Sequence, residues 1–336
     1  MSAASTTTFP PGYEEEDIGQ HTLAVAVLFI VLDITIVALR FITRSVYKTR
    51  LGVDDALIIP ALIFAVGICV IAIVEVRIAG VGRHLDVLYA TNPQAVVNWA
   101  KCGYAIETIY SAAVAVPKLS IIASYLRIFT DRRLRIATWI VGGVIAANGL
   151  AGIITSLASC HPFSARWDPA LFQTHCIDAP RFWEGTSVPN VVTDAVMLAL
   201  PLPTVWRLHI DTKQKIALSA VFALGSFGLI ASAVRLSVTF RVTTLEDGTW
   251  DSADIALWSL IEAGLYLIAA CLPVLRPLYL SILRRIASIA PISMRTPTKG
   301  SQLDIGQHRG LKYVEMDSWQ HDNPAAKTAL KGGNSC

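Results

Sequence analysis

Charge is scarce in this chain. Asp, Glu, Lys and Arg make up 16% of its 336 residues and hydrophobic residues 54%, whereas soluble domains carry about 25% charge. No Lys or Arg falls in the first 20 residues, which excludes a secretory signal with a charged leading region. No Asn has Ser or Thr two positions on, so an N-glycosylation acceptor is missing. No soluble-domain repeat of fixed period is present, which argues against a solenoid. No basic patch lies within a soluble folded segment, so the formal net charge of +3 does not point to nucleic acid. The seven histidines (His21, His84, His161, His175, His209, His308 and His321) sit near span ends, in loops or in the tail. They do not converge with carboxylates as a zinc hydrolase requires, and no nucleophile–base spacing stands out. A non-enzyme without cofactor or metal is the expectation.

What the sequence has in abundance is apolar length. A bilayer core of about 30 Å needs about 20 apolar residues in helical form, and seven stretches qualify: 21–43, 54–76, 97–126, 134–158, 184–206, 216–240 and 255–280. The expected fold is an all-α membrane protein, a seven-transmembrane helix bundle. The third stretch is long enough to tilt or to project.

Basic residues fall on alternate loops. Arg40, Arg44, Lys48 and Arg50 follow the first span; Arg127, Arg132, Arg133 and Arg135 follow the third. Arg207, Lys213 and Lys215 follow the fifth, and the end of the seventh span and the tail hold many more. The opposite side has few, and begins acidic at Glu14, Glu15, Glu16 and Asp17. By the positive-inside rule the N-terminus is outside and the C-terminus cytoplasmic. The inner basic residues also suit contact with anionic lipid, and the plasma membrane is the expected location.

Three regions follow. Residues 1–20 read as a flexible extracellular start, 21–285 as the membrane domain, and 286–336 as a mostly disordered tail with one short surface helix around 281–290. Cys69 and Cys271 lie within spans and read as packing. Cys336 does not begin a prenylation box, which places Cys fourth from the end. Cys160 and Cys176 lie in the large outer loop, on the oxidising side. A bridge between them is favoured, with Cys102 a rival partner for either; spacing alone leaves the connectivity open.

Six ionisable residues lie inside spans: Asp33, Glu107, Lys118, Asp194, Arg235 and Glu262. Each is costly in lipid unless paired or hydrated. With a rise of about 1.5 Å per residue, Lys118 and Asp194 reach similar depths near the midplane. Arg235 and Glu262 match near the outer third. Asp33 and Glu107 remain as midplane acids without a basic match, to be satisfied by a proton, water or a cation. The bland reading is that these charges only lock helices together. The sharper one is a polar cavity that opens outward and couples a ligand to helix movement. Pro117, Pro201, Pro203, Pro273 and Pro277 supply kinks that suit movement without requiring it. At the inner face Asp54 and Asp55 open the second span, where one carboxylate caps the helix. The other is placed to hold Arg44, Lys48 or Arg127 as a latch.

These residues resemble a known family. Leu51-Gly52-Val53-Asp54-Asp55-Ala56-Leu57 leads, followed by Lys118-Leu119-Ser120-Ile121 and Tyr125-Leu126-Arg127-Ile128-Phe129. Cys160-His161-Pro162 runs through Trp167 to Cys176, and Asp194 precedes Leu200-Pro201-Leu202-Pro203. Phe222-Ala223-Leu224-Gly225, Arg235, Trp258, Glu262 and Cys271-Leu272-Pro273-Val274-Leu275-Arg276-Pro277 complete the set. Over roughly residues 21–285 the chain resembles the fungal rhodopsin-like integral membrane family. That family comprises receptor-like seven-helix proteins related to fungal surface-sensing receptors, and includes membrane proteins found beside secondary-metabolite gene clusters such as the satratoxin cluster. The resemblance implies a topology like that of G-protein-coupled receptors, with an unknown extracellular ligand and a heterotrimeric G protein as candidate partners beside membrane lipids. Some members carry a cysteine-rich outer module before the first helix, whereas here no cysteine precedes Cys69. The family name brings no pigment with it, because retinal attachment needs a Lys in the seventh span and none lies between Trp250 and Ser281.

The expected function is a receptor-like sensor of an outer or surface cue. The alternative is a transporter or accessory protein for export of a secondary metabolite. Transporters often divide into repeated halves; seven spans do not divide evenly and no matching halves are visible.

Overall fold

The computed structural model describes residues 10–167, 171, 174–177, 179–202, 212–242 and 247–289. The first nine residues, the loop after the fifth predicted span and the tail from residue 290 lie outside the described residues. The expectation of a disordered tail therefore falls there.

Eight helices of at least seven residues are named here: α1 Gly19–Val46, α2 Val53–Val74, α3 Leu85–Thr91, α4 Pro93–Ile128, α5 Arg132–Leu157, α6 Ala179–Ala199, α7 Thr212–Val242 and α8 Gly248–Ile289. A π-helical turn, Glu75–Ala79, extends α2, and a 3₁₀ turn, Phe163–Arg166, lies in the large outer loop. α8 runs unbroken to Ile289. This corrects the expectation of a separate surface helix around 281–290: the span simply continues past the bilayer depth assigned to it.

Each long helix forms because its apolar residues suit lipid on one side and a partner helix on the other. In α1 the buried positions Thr22, Ala26, Phe29, Asp33, Val37 and Arg40 step by three or four, one stripe of a helix. Val27, Leu28, Val31 and Ile34, between them, are exposed. Small residues line the contacts, among them Ala26, Ala61, Ala65, Ala72, Ala113, Ala263 and Ala270. Without a hydrophobic drive between helices in lipid, close approach through small residues supplies the packing. The seven longer helices form a closed ring in the order α1, α2, α4, α5, α6, α7, α8, and α4 also meets α8 across the middle.

Six of the seven are long and apolar enough to cross a membrane. α6, where the fifth predicted span falls, is not among them over its described residues. The reason is visible in its sequence: Glu184, Gly185, Thr186, Ser187, Asn190, Thr193 and Asp194 dilute its apolar content.

The loop after α2 ties the start of α1 to the start of α8. Gly82 has φ +99°, a conformation that L side chains rarely adopt. Its N–H donates to Thr249 O at 3.1 Å and its carbonyl accepts from Ile18 N at 3.0 Å. Ile18, at the end of the segment expected to be flexible, is therefore hydrogen-bonded to the loop. A Cβ on Gly82 would collide with the backbone N of Gly19 and stand 2.7 Å from its Cα. We expect Gly82→Ala to lower the thermal unfolding midpoint, with about 1–2 kcal/mol lost from the backbone alone. Gly103→Ala, where a Cβ meets nothing within 4 Å, should hold or raise it. Equal midpoints for Gly82→Ala and the parent would disprove the clamp.

Candidate functional site

The polar residues of α6 that dilute its hydropathy are spaced to face the bundle. Ser187, Asn190 and Asp194 fall at i, i+3 and i+7, on one stripe. They meet Lys118 of α4, Arg235 and Ser232 of α7, and Glu262 and Tyr266 of α8. Lys118 is fully buried. Its Nζ stands 2.5 Å from Asp194 Oδ1 and donates to Asn190 Oδ1 at 2.7 Å, and lies 4.4 Å from the Tyr266 ring centroid. Glu262, also fully buried, accepts from Arg235 Nε (2.7 Å), Tyr110 Oη (2.7 Å) and Asn190 Nδ2 (2.6 Å). Arg235 lies over the Tyr110 ring at 4.8 Å. Two cations thus face two carboxylates, and Asn190 bridges the pairs.

One hydroxyl links the two acids directly. Ser232 Oγ is 2.6 Å from Asp194 Oδ2 and 2.8 Å from Glu262 Oε1. A serine has one proton to donate, so it serves one carboxylate at a time. Tyr266 Oη donates to Asp194 Oδ2 at 2.5 Å. Reading charges alone misses Asn190, Ser232, Tyr110 and Tyr266; the i, i+3, i+7 polar stripe in an otherwise apolar helix was the available signal for Asn190.

A second charged cluster sits where α1 ends and α2 begins. Asp55 Oδ2 accepts from Gly52 N at 3.0 Å, capping α2. Both Asp54 and Asp55 also hold two arginines of α1. Arg40 reaches Asp54 at 2.7 Å and Asp55 at 2.8 Å, and Arg44 reaches them at 2.9 and 3.2 Å. Arg127, more than half exposed, stands 3.8 Å from Asp54. The latch is therefore carried by Arg40 and Arg44, and Arg127 is peripheral; no contact of Lys48 enters it. Arg40 had been read only as a loop cation, yet it is fully buried and donates from Nη1 to Ala270 O of α8 at 2.7 Å. Pro273, three residues on, lacks the N–H that an unbroken helix would supply to Ala269 O, and the neighbouring carbonyl is turned to Arg40. Ser120 Oγ of α4 adds a bond to Asp54 O at 2.9 Å.

The third cluster lies between α4 and the loop after α5. Glu107 pairs with Arg166, which also donates to Ser159 Oγ at 3.4 Å. This corrects the expectation that Glu107 has no basic match. Arg166 belongs to the outer loop, and the 3₁₀ turn folds it back among the helices, where it is 9% exposed. Cys160 and Cys176 are bridged and close that loop, while Cys102 is free. Glu75, on the π-helical turn, is a further buried acid near Glu107 that the sequence reading did not single out. Asp33 joins none of these clusters: it is 1% exposed, and neither carboxylate oxygen has a hydrogen-bond partner among the described residues.

With this geometry in place, relatives are informative. The fungal rhodopsin domain family matches residues 39–281. The chain belongs to this family. It is 36% identical over 261 residues to a polyenoic acids biosynthesis gene cluster protein, Ba17b, of Metarhizium anisopliae, spanning 75% of this chain and 71% of that one. An SAT4 family membrane protein of Emericella nidulans is 33% identical over 58% of this chain and 49% of its own length. Receptor GIN3 of Arthrobotrys oligospora is 27% identical over 59% of this chain and 49% of its own. The chain thus spans about half the length of the latter two. It is a multi-pass membrane protein of the fungal rhodopsin family, with receptor-like and biosynthetic-cluster relatives.

This fungal rhodopsin domain carries a lid with a titrating centre beside the starts of α1 and α8. His84 is stacked between Tyr13 (3.8 Å) and Trp250 (4.3 Å). Its Nδ1 lies 2.5 Å from Asp247 Oδ2 and its Nε2 3.2 Å from Glu16 Oε2. Burial opposes the charged imidazole, but the bonds to Asp247 and Glu16 outweigh it and raise the pKa above the ordinary value. Asp86 also faces the lid, and Arg83 pairs with Asp17 beside it. A raised folded-state pKa stabilises the lid fully below about pH 6.5, and that contribution is lost as pH rises through the folded value. We expect the unfolding midpoint to fall between pH 6 and pH 8.5, and His84→Phe, which keeps the stacking, to flatten that slope. Parallel slopes would remove His84 from the account.

The central pairs make a different prediction. Arg235→Ala leaves Glu262 charged and buried, at a cost of about 3–5 kcal/mol. Arg235→Met with Glu262→Leu should recover part of that loss. Unfolding of the parent, single and double variants in nanodiscs measures both, and an unaltered single variant would show that the pair is not coupled.

Proposed function

We propose that this protein is a seven-span, receptor-like membrane protein with its N-terminus outside and its C-terminus in the cytoplasm. It senses an extracellular or surface cue at the plasma membrane and passes the change to a heterotrimeric G protein on its basic inner face. The fifth of the seven crossings is α6, whose polar stripe is shielded inside the bundle. Neither catalysis nor retinal chemistry enters this reading, and secondary metabolism is its proposed setting, because several relatives are named for biosynthetic gene clusters.

One observation carries the sensing reading. The central and inner clusters share the same two helices, one turn or less apart. On α4, Lys118 holds Asp194 and Ser120, two residues on, holds Asp54 O. On α8, Tyr266 holds Asp194 and Ala270, four residues on, holds Arg40. A shift of either helix that reorganises the central pairs must also load the inner latch, since four residues of helix rise only about 6 Å. The biosynthetic-cluster relatives favour an alternative, export of a secondary metabolite.

Cytosolic cAMP in the native host separates the two. A response to surface contact or culture extract should vanish on deletion, return with the parent gene and stay absent with Arg40→Gln. An unchanged response with metabolites retained inside the deletion cells would replace sensing by export.

A further inference from the structure

A cleft between α4, α5 and α6 opens onto the central network, and its lining is electrically one-sided. Lys118 and Arg235 both face it, whereas Asp194 and Glu262 do not. The network is neutral as a whole but turns its two cations to this space. Asn148, Thr186 and Asn190 add polar atoms to the lining. Apolar side chains make up much of the rest: Val114 and Ala115 on α4, Ile145 on α5, Trp183 on α6. The α5 side is as close to α4 as a helix can come, since a Cβ on Gly149 would stand 2.7 Å from Ala115 Cβ. The α5–α6 side is looser, bridged by Asn148 Nδ2 donating to Thr186 O at 3.3 Å. The enclosed space is about 30 Å³, room for about two waters at most, so a larger molecule must part α5 from α6 to enter.

We propose that this cleft binds a small amphipathic carboxylic acid, its carboxylate taken by Lys118 and Arg235 and its hydrocarbon body laid against the Ile145 and Trp183 wall. The inference rests on the sensing reading and names the class of cue. Two full positive charges with no lining anion select an anion over a neutral acceptor and repel an amine. A bare anion would leave the bundle with an extra charge in low dielectric. The acid therefore enters as R–COOH, its proton passes to Asp194, and its carboxylate takes the place of Asp194 on Lys118. Atoms and charge balance, and the bundle gains no net charge. Asp194 is not orphaned by the exchange, because Ser232 and Tyr266 still reach its Oδ2 at 2.6 and 2.5 Å. The exchange moves a proton and a counter-ion among α4, α6, α7 and α8, the helices that bear on the inner latch.

The test uses the full chain in nanodiscs with hexanoate, hexanol and hexylammonium as probes of one chain length. Hexanoate should raise the unfolding midpoint in a saturable way, with hexanol and hexylammonium at least tenfold weaker. Ile145→Phe, which fills the cleft and changes no charge, should weaken hexanoate at least tenfold, read as the shift from that variant's own unliganded midpoint. Equal binding of hexanol, or hexanoate binding undiminished in a folded Ile145→Phe variant, would overturn the site. Failure of the site and failure of sensing are separable. If hexanoate binds as described yet cellular cAMP never responds to any cue, the site stands and sensing falls. If hexanoate does not bind while the cue response survives Ile145→Phe, sensing stands and the site falls.

Discussion

A charged side chain at the centre of a bilayer costs from about 3 to more than 10 kcal/mol, depending on how far water and headgroups can follow it. This helix bundle holds at least eight charged side chains among its helices, four in the central network and four where α1 ends and α2 begins, and its architecture is largely the solution to placing them. Lys118 with Asp194, Arg235 with Glu262, and Arg40 and Arg44 with Asp54 and Asp55 each cancel to zero. In every case the partners come from different helices. Apolar contact cannot choose a register between two helices in lipid, because the tails outside are as apolar as the neighbour. An ion pair can, since sliding by one residue strands both charges. The small-residue stripes then allow the backbones to close around that register.

Pairing of this kind is weak evidence for stability in itself, because removing two charges from water offsets most of their attraction. What it does supply is a small set of discrete alternatives. Ser232 has one proton and two carboxylate neighbours; Asn190 has one partner of each sign. Rearrangements among these groups are steps rather than gradual strain, and steps are what a two-state bundle needs. The same arrangement explains why α6 departs from the hydropathy of a simple span: its polar residues serve the inside of the ring and its apolar ones face outward.

How much of this was legible in the sequence follows depth. Helical rise alone set Lys118 level with Asp194 and Arg235 level with Glu262, because both members of each pair lie in regular helix and rise is constant. It failed for Glu107, whose partner Arg166 comes from a loop that folds back into the bundle; no periodicity reports where a loop returns. It failed for Arg40, which loop-charge counting assigned to the surface although a span end and a buried pair differ by only a turn. The uncharged members were invisible for another reason. Tyr110, Asn190, Ser232 and Tyr266 are ordinary in helices, and only their convergence distinguishes them. The lid was missed likewise: His84 and Trp250 are far apart in sequence, and Gly82 was one glycine among 21.

The three layers differ in what can change them. The cluster at Asp54 and Asp55 is held by two guanidinium groups, and its carboxylates accept bonds from both. The lid turns on an imidazole sandwiched between two rings and bonded to two acids, the kind of group whose charge changes most readily near neutral pH. Between them the central pairs share hydroxyls, with Ser232 Oγ reaching both Asp194 and Glu262. Sensitivity to pH therefore differs along the bundle and is greatest at the lid, while α4 and α8 carry members of both the central cluster and the cluster at Asp54 and Asp55. That gradient gives the bundle a direction that a symmetric arrangement of the same pairs would lack.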